Sequence, residues 1–335
     1  MRRIATGLVV SLALVLGLPV SARAEIAEVM FAQQYGTNYL PLMVMEDQKL
    51  VEKQFQAKGL GQTKVSWSRL AGPSAIIDAF LTGNVHFAAQ GIPSTILAWD
   101  RTRTGIGVKA ISALCAADIW LMTRNPNVKT LRDLSDKDRL AMPSVKTSSQ
   151  ALFLQMAAEK EFGEGQWGKL DHLAVSMAHP DAVAAMLNPS HEVNGHLATS
   201  PFAEIEKRSG LRVVTSLYDA AGGQATGLNF VSTEKFRREN PNTYTAVVAA
   251  FDEALDWVNA DKRRAAKAYV ALANEKKLTA DDIYAIISGP DYVYGKTPHK
   301  ILKSMDLMFR NGTIKTKPVS WKDMYMAEVH GLPGD

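Results

Sequence analysis

Disulfide chemistry is missing from this sequence. Its 335 residues contain a single cysteine, Cys115. That excludes a disulfide scaffold, a cysteine-rich zinc site and an iron–sulfur cluster. Strong charge of one sign is missing too. The formal net charge is +4, but Arg2, Arg3 and Arg23 lie in a leader segment described below, and without them 35 basic residues face 34 acidic ones. A near-neutral chain has no global field to draw in nucleic acid or a membrane surface. The signature loops of common enzymes are also absent. There is no G-x-S-x-G elbow, no G-x-G-x-x-G, no Walker loop and no EF-hand series. The nearest approach to a zinc motif is His191-Glu192-Val193-Asn194-Gly195-His196. Its histidines stand at i and i+5 with a glycine between, not at the i and i+4 of one helix face. They read as solvated loop histidines. No internal repeat and no low-complexity tract is visible.

What is present is globular. Hydrophobic residues make up 47% and charged residues 21%, enough apolar material for two cores, and the length suggests two domains. Residues 1–24 read as a secretory signal. Arg2 and Arg3 form a positive n-region, Ile4 to Val20 an apolar core broken by Pro19, and Ala22-Arg23-Ala24 an A-x-A cleavage site. The apolar stretch is slightly short for a membrane span of about 20 residues. Its strong apolarity favours the general secretory route over twin-arginine export, and the expected compartment is the bacterial periplasm. After residue 24 no run of 18 residues is continuously apolar, so a soluble mature protein is expected. Cys115, inside the apolar run Ala110 to Ala116, reads as a small buried residue rather than a nucleophile.

Along the mature chain strands and helices alternate. Strands are expected at Glu28–Ala32, Lys64–Leu70, Val85–Ala89 and Val108–Ala113, with helices between, including one over Tyr39–Lys53. Three consecutive βα units with short turns predict a parallel sheet with right-handed crossovers. The pattern then restarts. Strands are expected at Ile119–Arg124, Leu140–Met142, Leu170–Val175, Gly195–Thr199 and Arg212–Ser216, and helices to Phe162, to Leu187 and after Ser200-Pro201. Beyond Val231 the chain turns mainly helical. In open α/β sheets ligands sit outside the carboxyl ends of the strands, so the βα turns are the candidate site. Many of these turns feed helix N-termini rich in Ser, Thr, Gln and Gly, whose unpaired N–H groups and partial positive charge suit an anion. They also read as ordinary caps.

Three stretches resemble a known group. The first is Leu70-Ala71-Gly72-Pro73-Ser74-Ala75 with Ala79-Phe80-Leu81-Thr82-Gly83-Asn84-Val85-His86-Phe87-Ala88 and Gly91-Ile92-Pro93. The second is Val128-Lys129-Thr130-Leu131-Arg132-Asp133-Leu134 before Leu140-Ala141-Met142-Pro143. The third is His179-Pro180-Asp181-Ala182-Val183-Ala184-Ala185-Met186 before Gly195-His196-Leu197-Ala198-Thr199-Ser200-Pro201-Phe202. Together they resemble the substrate-binding proteins of ABC importers, in the nitrate/sulfonate/taurine group and its thiamine-precursor-like relatives. One departure is Ser135-Asp136-Lys137, where the group often has Gly and Lys after the Asp-Leu pair.

The resemblance implies the type II periplasmic binding protein fold: two α/β lobes, each a mainly parallel sheet flanked by helices, joined by two hinge strands. It implies lobe one at 25–113 and 220–335, and lobe two at 114–219. It implies a ligand held by the βα turns of both lobes. Carried onto this chain, that means Gln34, Tyr35, Gly72, Ser74, Gln90 and Ile92 from lobe one, and Thr147, Ser148, His179, Ser200 and Pro201 from lobe two. The implied partners are a small-molecule ligand (sulfonate, carboxylate, nitrate or pyrimidine) and the permease of an ABC importer in the inner membrane. No cofactor, no metal and no nucleic acid are expected, and the protein is expected to be a monomeric receptor rather than an enzyme. Two alternatives stay open: an exported or pyrimidine-biosynthesis-like enzyme on the same fold, and a receptor serving a signalling partner.

Overall fold

A computed structural model describes residues 25–70 and 72–335; the leader at 1–24 lies outside the described residues. The strands are β1 (Glu28–Gln33), β2 (Lys64–Arg69), β3 (Phe87–Gly91), β4 (Val108–Ala116), β5 (Trp120–Thr123), β6 (Leu140–Met142), β7 (Ala174–Ser176), β8 (Gly195–Ala198), β9 (Arg212–Ser216), β10 (Thr226–Thr233) and β11 (Val293–Tyr294). They form two sheets. The first has the order β11-β4-β10-β3-β1-β2 and the second β7-β6-β8-β5-β9. β1 runs parallel to β2 and β3, and β6 runs parallel to β7 and β8. β10 enters antiparallel between β3 and β4, and β5 lies antiparallel between β8 and β9. The chain leaves the first sheet after Ala116 and returns to it at Thr226. This is the mixed α/β, two-lobe architecture expected, with two connections between the lobes.

The inner strands of the first sheet carry apolar residues toward both faces, as a sheet covered on both sides requires. β10 is buried at all eight positions. On one face Phe31, Phe87, Phe230 and Phe251 stack in series, with ring centroids 5.3, 5.7 and 4.5 Å apart. On the other, Ala32, Ala88 and Val231 pack with Ile96 and Trp99 of helix Ile92–Thr102, in a core that continues to Leu121, Leu140 and Phe153 of the second lobe. Five helices begin with proline at the first or second position, where no N–H is missed.

Three local expectations need correction. The helix over Tyr39–Lys53 is two helices, Leu40–Asp47 and Leu50–Ala57, because Lys49 adopts a left-handed φ of 51° that ends the first and starts the second. The strand expected at Leu170–Val175 is mostly a 3-10 turn, Trp167–Leu173, and only its end extends into β7. Leu170 and Leu173 are both buried; their i, i+3 spacing, which a strand would split between two faces, puts both on one side of a tight turn. The helical reading beyond Val231 also left β10 itself unassigned. Elsewhere β6 and β9, and the helices ending at Phe162 and Leu187, lie where expected. Cys115 is buried on β4, and burial pushes its thiol up to about 12, which leaves it an inert apolar packing group. Among the described residues no helix is long and apolar enough to cross a membrane.

Candidate functional site

The carboxyl ends of β1, β3, β6 and β8 and the start of β10 converge on one small, half-open cavity of about 40 Å3, room for two or three water molecules. The first lobe lines it with Gln34, Tyr35, Asn38, Tyr39, Pro73, Gly91, Gly227 and Leu228. Ile119 of the crossing and Pro143, Ser148, Ser149, Gln150, His179 and Thr199 of the second lobe complete it. None of these is Lys, Arg, Asp or Glu. The polar character comes from amides, hydroxyls, one imidazole and the start of helix Ser149–Phe162, whose first N–H groups have no intrahelical partner.

The lobes touch around this cavity. Thr37 donates from its backbone N–H and its hydroxyl to the Ser200 carbonyl at 3.2 and 3.0 Å. Ser74 Oγ lies 2.9 Å from Thr147 Oγ1 and 3.2 Å from Ser144 Oγ. A Cβ built on Gly72 would stand 3.0 Å from the Pro143 carbonyl. Thr37 and Asn38 are held from behind. The Tyr292 hydroxyl donates to Thr37 Oγ1 at 2.9 Å and also to Asn38, and Tyr294 donates to the Thr37 carbonyl at 2.7 Å. At the crossing, Asp118 Oδ1 accepts from the N–H of Ile119 at 2.8 Å and of Tyr218 at 2.9 Å. One carboxylate thereby ties the outgoing connection to the returning one, and burial pushes its pKa up.

Of the residues named from sequence, Gln34, Tyr35, Ser148 and His179 line the cavity. Ser148 does so as a cap: its Oγ accepts from Ala151 N–H at 3.2 Å and donates to the Ser144 carbonyl. Gly72, Ser74, Thr147 and Ser200 sit where the lobes meet. Ser74 and Thr147 also line a wider outer groove of about 750 Å3. Gln90 and Ile92 lie buried in the first lobe, and Pro201 caps helix Phe202–Arg208. Asn38, Ser149, Gln150 and Thr199 were not singled out from sequence. Gln150 follows the cap Ser148 by two positions, the one signal that could have found it. A more open pocket of about 410 Å3 shares Gln34 and Tyr35 with the cavity and is lined by Met43, Val183, Phe202, Ile205 and Tyr269.

His196 corrects the reading of the H-E-x-x-x-H run. It is not a solvated loop residue but fully buried on β8. Its Nε2 lies 2.8 Å from His179 Nδ1, and its Nδ1 lies 2.6 Å from Glu206 Oε1. His179 Nε2 in turn lies 3.2 Å from Gln150 Nε2 and 3.4 Å from Thr199 Oγ1, at the cavity wall. Burial pushes Glu206 up to about 8 and His196 down to about 3, and burial together with His196 holds His179 well below the usual imidazole range.

No protein-family model matches the sequence, and no curated protein matches it. Solved structures do match. The alkanesulfonate-binding protein SsuA of Xanthomonas axonopodis pv. citri, bound to MOPS, is similar at a TM-score of 0.70 and 15% identity, over 90% of this chain and 99% of that one. The periplasmic nitrate-binding protein NrtA of Synechocystis is similar at 0.64 and 13%, over 92% and 86%. A conserved gene product of Candida albicans, described as having the generic periplasmic binding protein fold, is similar at 0.66 and 9%, over 90% and 96%. The chain therefore has the periplasmic binding protein fold. Sulfonate- and nitrate-binding proteins are among its structural neighbours, the group that the sequence stretches resemble.

Proposed function

We propose that this protein is a solute-binding receptor that captures a small anionic or strongly polar organic ligand between its two lobes and delivers it to an ABC importer. The observation that carries this reading is the small cavity between the lobes, built in comparable measure from the strand ends of both and carrying uncharged polar side chains. A ligand there meets hydrogen-bond donors on both sides and no charged side chain. In this reading the moving units are 25–113 with 220–335, and 114–219. They hinge at the two crossings beside Asp118, because a cavity of about 40 Å3 admits an organic ligand only when the lobes part. Gln34, Tyr35, Gln150 and His179 contact the ligand, while Gly72, Ser74, Thr147 and Ser200 form the seam that closes over it. The segment 1–24 directs export to the periplasm, and the receptor works as a monomer without a cofactor.

A thermal-shift screen tests it, with nitrate, ethanesulfonate, acetate, a neutral pyrimidine and a cationic amine each on purified protein. A ligand at one hundred times its dissociation constant adds about 2.7 kcal/mol of stability. Stabilisation by an anion or the pyrimidine is the expected result. Stabilisation by the amine alone would overturn the ligand class, and turnover of a bound compound would overturn the receptor reading in favour of an enzyme. Genes for a permease beside this one would favour import over signalling.

A further inference from the structure

We propose that Glu206, His196 and His179 form a buried proton wire that sets whether His179 offers the cavity a hydrogen-bond acceptor or a donor, so that an anion is captured together with one proton. The proposal rests on the reading of the cavity as a ligand site, and it adds the coupling of that site to protons. The contacts run in series from the protein interior to the cavity wall: Glu206 Oε1 to His196 Nδ1 at 2.6 Å, His196 Nε2 to His179 Nδ1 at 2.8 Å, then His179 Nε2 at the cavity. Every bond in the chain joins two groups that can each donate or accept, so its polarity reverses as a unit.

Two arrangements satisfy it. In the first, Glu206 is a carboxylate. His196 donates to it from Nδ1, His179 donates to His196 from Nδ1, and His179 Nε2 presents a lone pair that accepts from the Gln150 amide. In the second, a proton from cavity water binds His179 Nε2. The Nδ1 proton of His179 passes to His196 Nε2, and the Nδ1 proton of His196 passes to Glu206 Oε1. Three N–H or O–H bonds form as two N–H bonds and one bond in hydronium break, and the protein gains one proton. Glu206 is then a neutral acid donating to His196, both imidazoles stay neutral, and His179 Nε2–H faces the cavity and the Thr199 hydroxyl, while the Gln150 amide turns its oxygen toward it. An anion pairs only with the second arrangement.

The surroundings favour a carboxyl group that changes charge here. Glu206 and His196 are wholly buried, and among the described residues Glu206 Oε2 finds no hydrogen-bond partner, a costly state for a carboxylate oxygen. Among the described residues no cation is placed to compensate it. On its own helix Lys207 and Arg208 are exposed, with Lys207 over the Trp120 ring and Arg208 paired with Asp282. Glu204 on that helix is a like charge, and burial pushes its pKa up. From the neighbouring elements come His196 of β8 and His179 of its helix. Asp181 of that helix and Arg212 of β9 are exposed, and Arg212 is spent on the Asn125 and Val128 carbonyls. Burial places the Glu206 transition at about 8, within reach of ordinary conditions.

The test uses the whole mature protein. Nitrogen-15 spectra of the histidines, assigned with single His179→Gln and His196→Gln variants, report each ring's tautomer without any ligand. The expected result is a joint tautomer change of His179 and His196 in one pH step, absent from Glu206→Gln. Tautomers that stay fixed from pH 6 to 10, or that change equally in Glu206→Gln, would overturn the wire. Calorimetry with nitrate and ethanesulfonate, which keep their charge across this range, reads the coupling. Affinity should be flat below about pH 8, with no proton taken up, and fall about tenfold per pH unit above it, with uptake of one proton, and the fall should vanish in Glu206→Gln. A tight-binding anion with no pH dependence would overturn the coupling. Failure of both anions to bind would overturn the ligand class instead, and the spectra would still decide the wire.

Discussion

Gly91 and Ser149 face each other across the cleft so closely that a Cβ on Gly91 would lie 2.5 Å from the Ser149 hydroxyl. Gly91 has an ordinary extended backbone, so its lack of a side chain serves the approach of the lobes and not a turn. Gly91→Ala should be tolerated, because the Ser149 hydroxyl can rotate away. Gly91→Val should hold the lobes apart and weaken a stabilising anion by more than about tenfold, a loss of ~1.4 kcal/mol. Calorimetry together with the radius of gyration in solution checks this. A valine variant that closes and binds normally would show that this contact does not limit closure.

Ser74 and Ser148 should behave differently when changed to alanine. Ser148 Oγ caps helix Ser149–Phe162, and losing a cap costs about 1 kcal/mol of stability. Melting of the unliganded Ser148→Ala protein should show it. Ser74 is exposed, and among the described residues it bonds only across the seam, to Ser144 and Thr147. Ser74→Ala should leave the unliganded melt nearly unchanged and cost about 0.5–1.5 kcal/mol of binding, up to roughly tenfold in affinity.

Asp118 should be replaceable by asparagine but not by alanine. Asparagine keeps an oxygen to accept from Ile119 and Tyr218 N–H; alanine leaves two donors without a partner at the crossing. An unpaired buried donor costs about 1–3 kcal/mol, so Asp118→Ala, with two, should be less stable to urea by about 2–6 kcal/mol, and Asp118→Asn by much less. Equal losses in the two variants would mean that the charge matters rather than the acceptor.

The buried triad also predicts how stability varies with pH. Glu206 holds its proton in the fold up to about 8 but releases it near 4.5 when unfolded. Its contribution is full below the unfolded value and is lost as pH rises to about 8, at ~1.4 kcal/mol per pH unit. His179 and His196 are depressed below 6.5. Their contributions are full above 6.5 and are lost as pH falls. Stability from these three groups should therefore peak near pH 6.5. Urea titrations from pH 5 to 9 should show the peak, and Glu206→Gln should lose the decline on its alkaline side.

Much of this architecture can be read from local pattern. The βα alternation yields both sheets because each unit carries its own turn signals, as at Gly72-Pro73 and His179-Pro180. The break at Lys49 is invisible to periodicity, since the apolar spacing continues through it. β8 is buried at all four positions, so His196 is covered whatever its parity, but a motif search treats it as one end of a spacing and misses the strand. Pairings such as Ser74 with Thr147, and the line from His179 to Glu206, join residues whose approach depends on how helices and lobes pack. No single segment carries that information.

The position of β10 between β3 and β4 also dictates an order of assembly. β3 gains its second neighbour only after the chain has run through all of the second sheet. The second lobe is one contiguous stretch and can complete its sheet alone, whereas the first waits for a strand that returns from the far side. Long-range pairing of this kind slows folding. A chain threaded outward from its N-terminus would therefore finish its second lobe first and hold Phe31 and Phe87 half covered until Phe230 arrives.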